Sequence, residues 1–201
     1  MKMLKIKDVV LVALLTALYF IAYMIGSGVS MVFGPFGHAI SPGFCGLFAG
    51  VVFYFANRKV GKFFQYTLMQ AIIMTLFSIM GAGYIPWFIT SMIAAVIADL
   101  IASRESKPAV LKVAIASGVF HVGQAFGAII PSIFFMESYK ADWVARGQTP
   151  EQMDAMIEAS TGVMGAIGTV IVFALSVLGI YIGHLILRKH FEKKEAGRLA
   201  A

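Results

Sequence analysis

Long apolar stretches without charge alternate along this chain with short clusters of charged residues. The four longest stretches that lack Asp, Glu, Lys and Arg contain 49, 36, 24 and 29 residues, at positions 9–57, 63–98, 113–136 and 159–187. One helix needs roughly 20 apolar residues to cross the hydrocarbon core of a bilayer. The two longer stretches therefore have room for two membrane-spanning helices each, and the two shorter ones for one each.

Glycine and proline divide the two longer stretches, since both residues interrupt helices. The first stretch is broken at 26–28 (Gly-Ser-Gly) and 34–38 (Gly-Pro-Phe-Gly-His), and the second at 81–86 (Gly-Ala-Gly-Tyr-Ile-Pro). The sequence thus predicts an all-α membrane protein, a compact bundle of six transmembrane helices that forms a single domain over residues 1–201. The predicted spans are 9–27, 39–57, 63–81, 84–102, 110–135 and 161–187.

The composition agrees with a membrane protein. Hydrophobic residues make up 60% of the chain and charged residues 13%, whereas charged residues are about a quarter of a typical soluble domain. The first span lacks a small-residue cleavage site followed by a soluble domain, so we expect it to be a retained helix and not a removed signal peptide. Cys45 is the only cysteine and lies in a span, which excludes a disulfide within the chain.

Fourteen of the sixteen lysines and arginines fall into four short clusters. Lys and Arg in short loops favour the cytoplasmic side, and an even number of spans places all four clusters on one side. This predicts that both termini are cytoplasmic, and it makes the net charge of +6 a sign of topology and not of nucleic-acid binding. Only Lys140 and Arg146 lie elsewhere. The clusters are Lys2, Lys5 and Lys7; Arg58, Lys59 and Lys62; Arg104, Lys107 and Lys112; and Arg188, Lys189, Lys193, Lys194 and Arg198.

The only long polar segment, 137–160, joins the fifth and sixth spans on the outer side. Within it, Thr149 has the position of a helix N-cap, Pro150 that of the first helical residue, and Gln152 the spacing of a capping box. We predict a short amphipathic helix here, lying over the outer ends of the bundle as a plain connector or as part of a lid. Its apolar face would consist of Met153, Met156 and Ile157.

A few polar and aromatic side chains in or near the spans are candidates for function. Ionisable groups at membrane depth are costly, and His121 lies near the middle of the fifth span with Gln124 on the same helix face. His38 is expected in the outer turn between the first two spans. Each histidine also has an interpretation without a binding role. His121 could form a hydrogen bond between helices, and His38 could be exposed to solvent in its turn. Tyr84 and Trp87, at the start of the fourth span, suit either interfacial aromatics or a stacking wall.

Asp99 lies about one turn from the inner end of the fourth span. We expect it to pair with Arg104 or another inner cation, or else to contact a partner on the cytoplasmic side. Catalysis has little support, because the chain contains no HExxH, GxSxG or Walker sequence. We therefore expect a protein that is not an enzyme and has no cofactor of its own.

Pairs of small residues four positions apart occur on four predicted spans and mark places where helices can approach closely. The pairs are Ala13 and Ala17, Gly46 and Gly50, Gly123 and Gly127, and Gly179 and Gly183.

Several features together resemble the S components of energy-coupling factor (ECF) transporters. These are six spans in about 200 residues with both ends cytoplasmic, a basic N-terminus leading into 13–17 (Ala-Leu-Leu-Thr-Ala), and a glycine-rich first outer loop. More narrowly, 5–8 (Lys-Ile-Lys-Asp), 34–38 and the basic end 187–194 resemble the Trep_Strep family of hydrophobic proteins, which is grouped with S components. The resemblance covers essentially the whole chain.

The resemblance implies a subunit in the bacterial cell membrane that captures a micronutrient from the outer side. It would dock on a transmembrane T component driven by two cytosolic ATPases, so ATP would be hydrolysed by its partners. In S components the small residues of the first helix meet the T component, a role that falls here to Ala13 and Ala17. The substrate pocket is formed in the outer half, which implies His38, Tyr84, Trp87, His121 and Gln124 as substrate-binding residues.

Two features narrow the ligand that the resemblance implies. Nickel- and cobalt-type S components begin with Met-His, whereas this chain begins Met-Lys-Met, so a metal site of that type is not expected. No Arg or Lys lies within the outer half of a span, which favours an apolar, aromatic or planar ligand. Haem or another tetrapyrrole, with His38 and His121 as axial iron ligands, and a B-vitamin-like compound both suit this description.

Two other classes of function stay open at this point. One is a stand-alone membrane channel or facilitator, which would transport without an ATPase. The other is an intramembrane enzyme that uses His121 or Asp99, although the sequence offers no second catalytic group at the same depth.

Overall fold

Eight α-helices make up nearly all of the part of the chain that the structure describes. The computed structural model covers residues 3–103 and 109–199, the last eight of these for their backbone only, and no strand occurs within these ranges. The helices are α1 Ile6–Ser30, α2 Pro35–Lys59, α3 Gln65–Ile79, α4 Ile85–Ala102, α5 Val110–Phe134, α6 Met136–Ala145, α7 Pro150–Ser160 and α8 Gly162–Leu199.

Five of the described helices, α1, α2, α4, α5 and α8, are long and apolar enough to cross a membrane. Helix α3 has 15 residues, which gives about 22 Å at 1.5 Å per residue against a hydrocarbon core of about 30 Å. The chain is thus an all-helical, multi-pass membrane protein with five candidate spans. The predicted third span, 63–81, is the one that the structure shortens.

The boundary between the first two spans differs from the prediction. Helix α1 continues through 26–28 to Ser30. Gly26 does not end the helix but allows close contact with α2, since a Cβ at this position would lie 2.6 Å from the backbone nitrogen of Cys45. The turn is made instead by Gly34, at φ +60°, followed by Pro35 as the first residue of α2. His38 consequently lies in the first turn of α2, and not in a loop as predicted.

Contacts among the described residues place several of the basic clusters at one end of the bundle, which we call the basic end. Lys62, between α2 and α3, pairs with Asp8 in the first turn of α1 at 2.5 Å. Arg58 and Lys59 lie 5.5 Å and 5.3 Å from the ring centre of Phe191 on α8. Some members of the basic clusters lie outside the described residues. They are Lys2, Arg104 and Lys107, together with the side chains of Lys193, Lys194 and Arg198.

The glycine pairs of α2 and α8 pack against each other. A Cβ on Gly50 would overlap the carbonyl group of Gly179, and one on Gly183 would lie 2.7 Å from the carbonyl oxygen of Gly50. Gly123 on α5 lies equally close to Ala94 on α4. These contacts bring the helices close together. Within a membrane the hydrophobic effect does not drive helices to associate, so dispersion between closely packed atoms contributes to their association instead.

Asp99 has a structural role that its sequence position did not suggest. Its carboxylate is fully buried and accepts hydrogen bonds from the backbone N–H groups of Tyr66, at 3.0 Å, and Thr67, at 2.9 Å, and from the Thr67 hydroxyl at 2.7 Å. These N–H groups belong to the first turn of α3, which receives no cap from its own Phe64. Asp99 therefore caps α3 from α4, and its expected partner Arg104 lies outside the described residues.

Candidate functional site

A cavity of about 600 Å³ lies at the end of the bundle opposite the basic end. This volume falls in the range of small-molecule sites. Its wall combines the end of α1, the start of α2, the end of α3, the start of α4, the second half of α5, and both α6 and α7. We call this the cavity end.

Four of the five residues predicted to bind substrate lie around this cavity. They are His38 on α2, Tyr84 and Trp87 at the start of α4, and Gln124 on α5. Trp87 packs directly over Gly127, where a Cβ would overlap the indole ring. The structure therefore brings together residues that lie far apart in sequence.

An aromatic wall forms one side of the cavity. Tyr84 lies 5.4 Å from Tyr139 and 6.3 Å from Trp143, measured between ring centres. Burial raises the pKa of Tyr139, and burial followed by the charge of Asp142 raises the pKa of Tyr84. Both phenols therefore stay protonated at neutral pH, so this wall carries hydroxyl donors and no charge.

Helices α6 and α7 pack together as a hairpin that lines the cavity. The predicted α7 is confirmed, including its capping box: Gln152 N donates to Thr149 Oγ1 at 3.2 Å, and Thr149 N to Gln152 Oε1 at 3.0 Å. Met153 and Ile157 are buried as predicted, in one cluster with Tyr139 of α6.

Two polar contacts fix this hairpin. Lys140 on α6 pairs with Asp154 on α7 at 2.6 Å. Arg146, just after α6, donates to the backbone carbonyls of Gly81 and Gly83, at 3.3 Å and 2.8 Å, which ties the hairpin to the turn between α3 and α4.

His121 lies in the protein core and not around the cavity. It is fully buried, and its Nδ1–H donates to the backbone carbonyl of Ser117 at 2.8 Å. Nε2 is then the acceptor nitrogen, and it lies 3.4 Å from the hydroxyl of Tyr19 on α1. Both ring nitrogens are thus occupied, and the structure does not bring the two histidines to one iron site.

Gln124 links the hydrogen-bonded side chains of His121 and Tyr19 to the cavity, and we call these three residues the hydrogen-bonded chain. Since the Tyr19 hydroxyl donates to His121, its oxygen accepts from Gln124 Nε2 at 2.9 Å, and the same nitrogen donates to Gln70 Oε1 on α3 at 2.9 Å. This order fixes the orientation of the amide. Gln124 Oε1 accepts no hydrogen bond from any residue that the structure describes.

The sequence prediction missed Tyr19, Tyr139 and Trp143 as parts of this region. Tyr139 and Trp143 are four residues apart, and that spacing on a helix would have placed both rings on one face. No comparable signal marks Tyr19, because its partners His121 and Gln124 are more than 100 residues away along the chain.

The described residues offer no site with several metal ligands. Within the described ranges, no group of three or more His, Cys, Asp and Glu side chains could hold a metal ion.

Comparisons with known proteins agree with the architecture. No curated protein and no solved structure matches the chain. Residues 6–193 match a family described as a hypothetical bacterial integral membrane protein, Trep_Strep. That match covers all five candidate spans, the α6–α7 hairpin and the cavity. The chain therefore belongs to the Trep_Strep family of bacterial integral membrane proteins.

Proposed function

We propose that this protein is the membrane-embedded, substrate-binding subunit of an ATP-driven importer of the energy-coupling factor type. The observation that carries the proposal is the cavity at the cavity end, lined in part by α6 and α7. With the basic end on the cytoplasmic side, as the positive-inside rule predicts, the cavity would open outward and capture a small molecule there.

The packing beside the cavity favours a binding site over a channel. Phe53, Phe120 and His121 pack with Tyr19 in a dense aromatic cluster, with ring centres 4.9 to 6.1 Å apart around Tyr19. These side chains are fully buried and belong to the core between the cavity and the basic end. A ligand would therefore be held until the subunit changes its conformation or orientation, a step for which a partner supplies the energy.

The exposed face of α1 supports docking on a partner. Of the four small-residue pairs, Ala13 and Ala17 form the one whose two members are both exposed. Large apolar residues flank them, including Leu14 and Leu18, which are 63% and 53% exposed. A flat strip of small residues beside lipid-facing ones allows close approach of another transmembrane helix. We assign this strip to the transmembrane T component, which two cytosolic ATPases would drive.

The proposed cargo is a vitamin-like or planar compound of the size of this cavity. Haem belongs to the same proposal, but His38 is the histidine available to its iron, because the nitrogens of His121 are already hydrogen-bonded. An iron site of that kind would give a bound haem with a single histidine ligand, which its absorption spectrum would report.

Co-purification with a T component and its ATPases tests the function. The chain with Ala13→Trp and Ala17→Trp should lose complex formation, because indole rings would separate the two helices. Leu18→Trp, on the adjacent lipid-facing side of α1, is the matched control and should leave the complex intact. Equal complex yields from the double variant and the control would contradict the assignment, and substrate transport in proteoliposomes without ATPases would favour a facilitator instead.

A further inference from the structure

The cavity has no charged side chain in its wall. None of the described residues around it is Asp, Glu, Lys or Arg, and the polar groups are hydroxyls, amides, indole N–H groups and the imidazole of His38. A carboxylate or phosphate in such a site would lose its hydration without gaining a counter-charge, which is strongly unfavourable. The wall therefore selects against charged ligands.

Two internal prolines each remove one backbone hydrogen bond from a helix that lines the cavity. Pro42 on α2 and Pro131 on α5 are buried within their helices. Proline has no amide hydrogen, so the bond that residue i would donate to the carbonyl of residue i−4 is absent. The carbonyls released in this way belong to His38 and Gly127, and both residues line the cavity.

Further acceptors belong to other residues that line the cavity. Gln124 on α5 is 3% exposed, and its Oε1 has no donor among the described residues. At the end of α1, the Ser30 hydroxyl donates to the backbone carbonyl of Ser27 at 2.7 Å, which leaves its oxygen able to accept. The cavity wall thus combines these acceptors with the aromatic rings of Tyr84, Tyr139 and Trp143.

From this arrangement we infer that the cavity binds an uncharged aromatic heterocycle whose N–H or O–H groups donate to the carbonyls of His38 and Gly127. The ring would stack on the aromatic wall formed by Tyr84, Tyr139 and Trp143, where a π-face contact contributes without charge. Gly127 is buried, and a buried carbonyl without a partner is destabilising, so a donor on the ligand removes that cost. This inference rests on the proposed function and names the class of its substrate. Within that function it excludes haem, because the two propionates of haem are charged.

The ligand class is tested on the full-length protein purified in mild detergent. The protein is incubated with the small-molecule fraction of a bacterial extract, repurified and denatured, and the released compounds are analysed by mass spectrometry in H2O and in D2O. We expect compounds with aromatic ultraviolet absorption, no carboxylate or phosphate, and at least two hydrogens that exchange for deuterium. Retention of acids or phosphates, of compounds without exchangeable hydrogens, or of no compound at all would overturn the inference.

Proline variants test the two carbonyls. Pro42→Ala and Pro131→Ala each restore an amide hydrogen that occupies the released carbonyl within the helix. Each should lower the retained amount or the affinity about fivefold or more, as expected for one lost hydrogen bond. Pro86→Ala is the matched control, because Pro86 lies in the first turn of α4, where no helical hydrogen bond is missing, and it is not among the residues around the cavity.

The controls separate this inference from the proposed function. Thermal unfolding of each variant without ligand shows whether it is folded, and alanine at a helical position should not lower stability. Unchanged retention by folded Pro42→Ala and Pro131→Ala would refute the role of the carbonyls. Complex formation with the T component depends on α1 and not on these prolines, so its loss would count against the proposed function alone.

Discussion

Helices α1 and α2 are consecutive in sequence and contain 25 residues each, yet they are packed very differently. In the most apolar part of α1 33% of the residues are buried, against 61% in α2, although α1 is the more hydrophobic helix. Lipid chains are as apolar as leucine, so burying a leucine of α1 gains little in a membrane. The glycines and alanines of α2 instead let neighbouring backbones come close, and dispersion contacts then favour association. Between these two helices, the small residues of α2 therefore lie in the interior, whereas most of the large apolar residues of α1 are exposed.

The largest loss of stability is expected from a substitution in the contact between α2 and α8. Gly50→Leu would drive a side chain into the carbonyl group of Gly179, and backbone atoms cannot yield as a flexible side chain can. We expect loss of folded protein, equivalent to more than about 4 kcal/mol, measured by size-exclusion chromatography and thermal unfolding in detergent. Gly28→Leu on α1 is the control, because no atom lies within 4 Å of a Cβ built there. Folded Gly50→Leu protein would show that the glycine contact is not needed.

A smaller loss is expected from the cap that Asp99 gives to α3. Asp99→Ala leaves two buried N–H groups of the first turn of α3 without an acceptor, at a cost of about 2–3 kcal/mol. Thermal unfolding measures this loss. Asp154→Asn is the control: that carboxylate is 63% exposed and pairs with Lys140 at the surface, so its loss should stay below about 1 kcal/mol. Equal losses from the two variants would contradict the capping role.

The buried side of α1 is expected to show a moderate effect. Tyr19→Phe removes the hydroxyl between His121 and Gln124 and leaves one acceptor and one donor unpaired, which should cost about 1–2 kcal/mol. Because Gln124 lines the cavity, ligand retention should fall as well. Tyr23→Phe serves as control, since Tyr23 lines the cavity but lies outside this hydrogen-bonded chain. Similar stability of Tyr19→Phe and the wild type would indicate that the chain of hydrogen bonds is not formed.

The exposed side of α1 is expected to show almost no effect on stability. Ala17→Leu adds an apolar side chain that faces lipid and should change the free energy of unfolding by less than about 0.5 kcal/mol. A loss comparable to that of Tyr19→Phe would mean that this side of α1 is packed within the bundle, and it would weaken the comparison between the two helices.

Much of the fold followed from the sequence. The charge-free stretches predicted all five candidate spans among the described residues, and the capping box at Thr149 predicted α7. The predicted end of the first span is wrong because glycine has two uses in a membrane helix. It can end the helix, or it can allow close contact with a neighbouring helix as Gly26 does with α2, and the sequence pattern does not distinguish the two. The same limitation placed His38 in a loop. Helix α6 was missed because a polar ten-residue helix has no apolar periodicity, and its aromatic residues acquire a role only against Tyr84 and α7.

The sequence by itself determined that the chain is a multi-pass helical membrane protein, because hydrophobicity and charge are properties of each segment alone. Only the tertiary structure decided which residues surround the cavity, why His121 lies in the core beside it, and which small-residue pair stays exposed on α1. Those outcomes depend on contacts between helices that are distant in sequence. In a membrane such contacts are selected by shape and hydrogen bonding and not by hydrophobicity, the one property that a linear pattern records well.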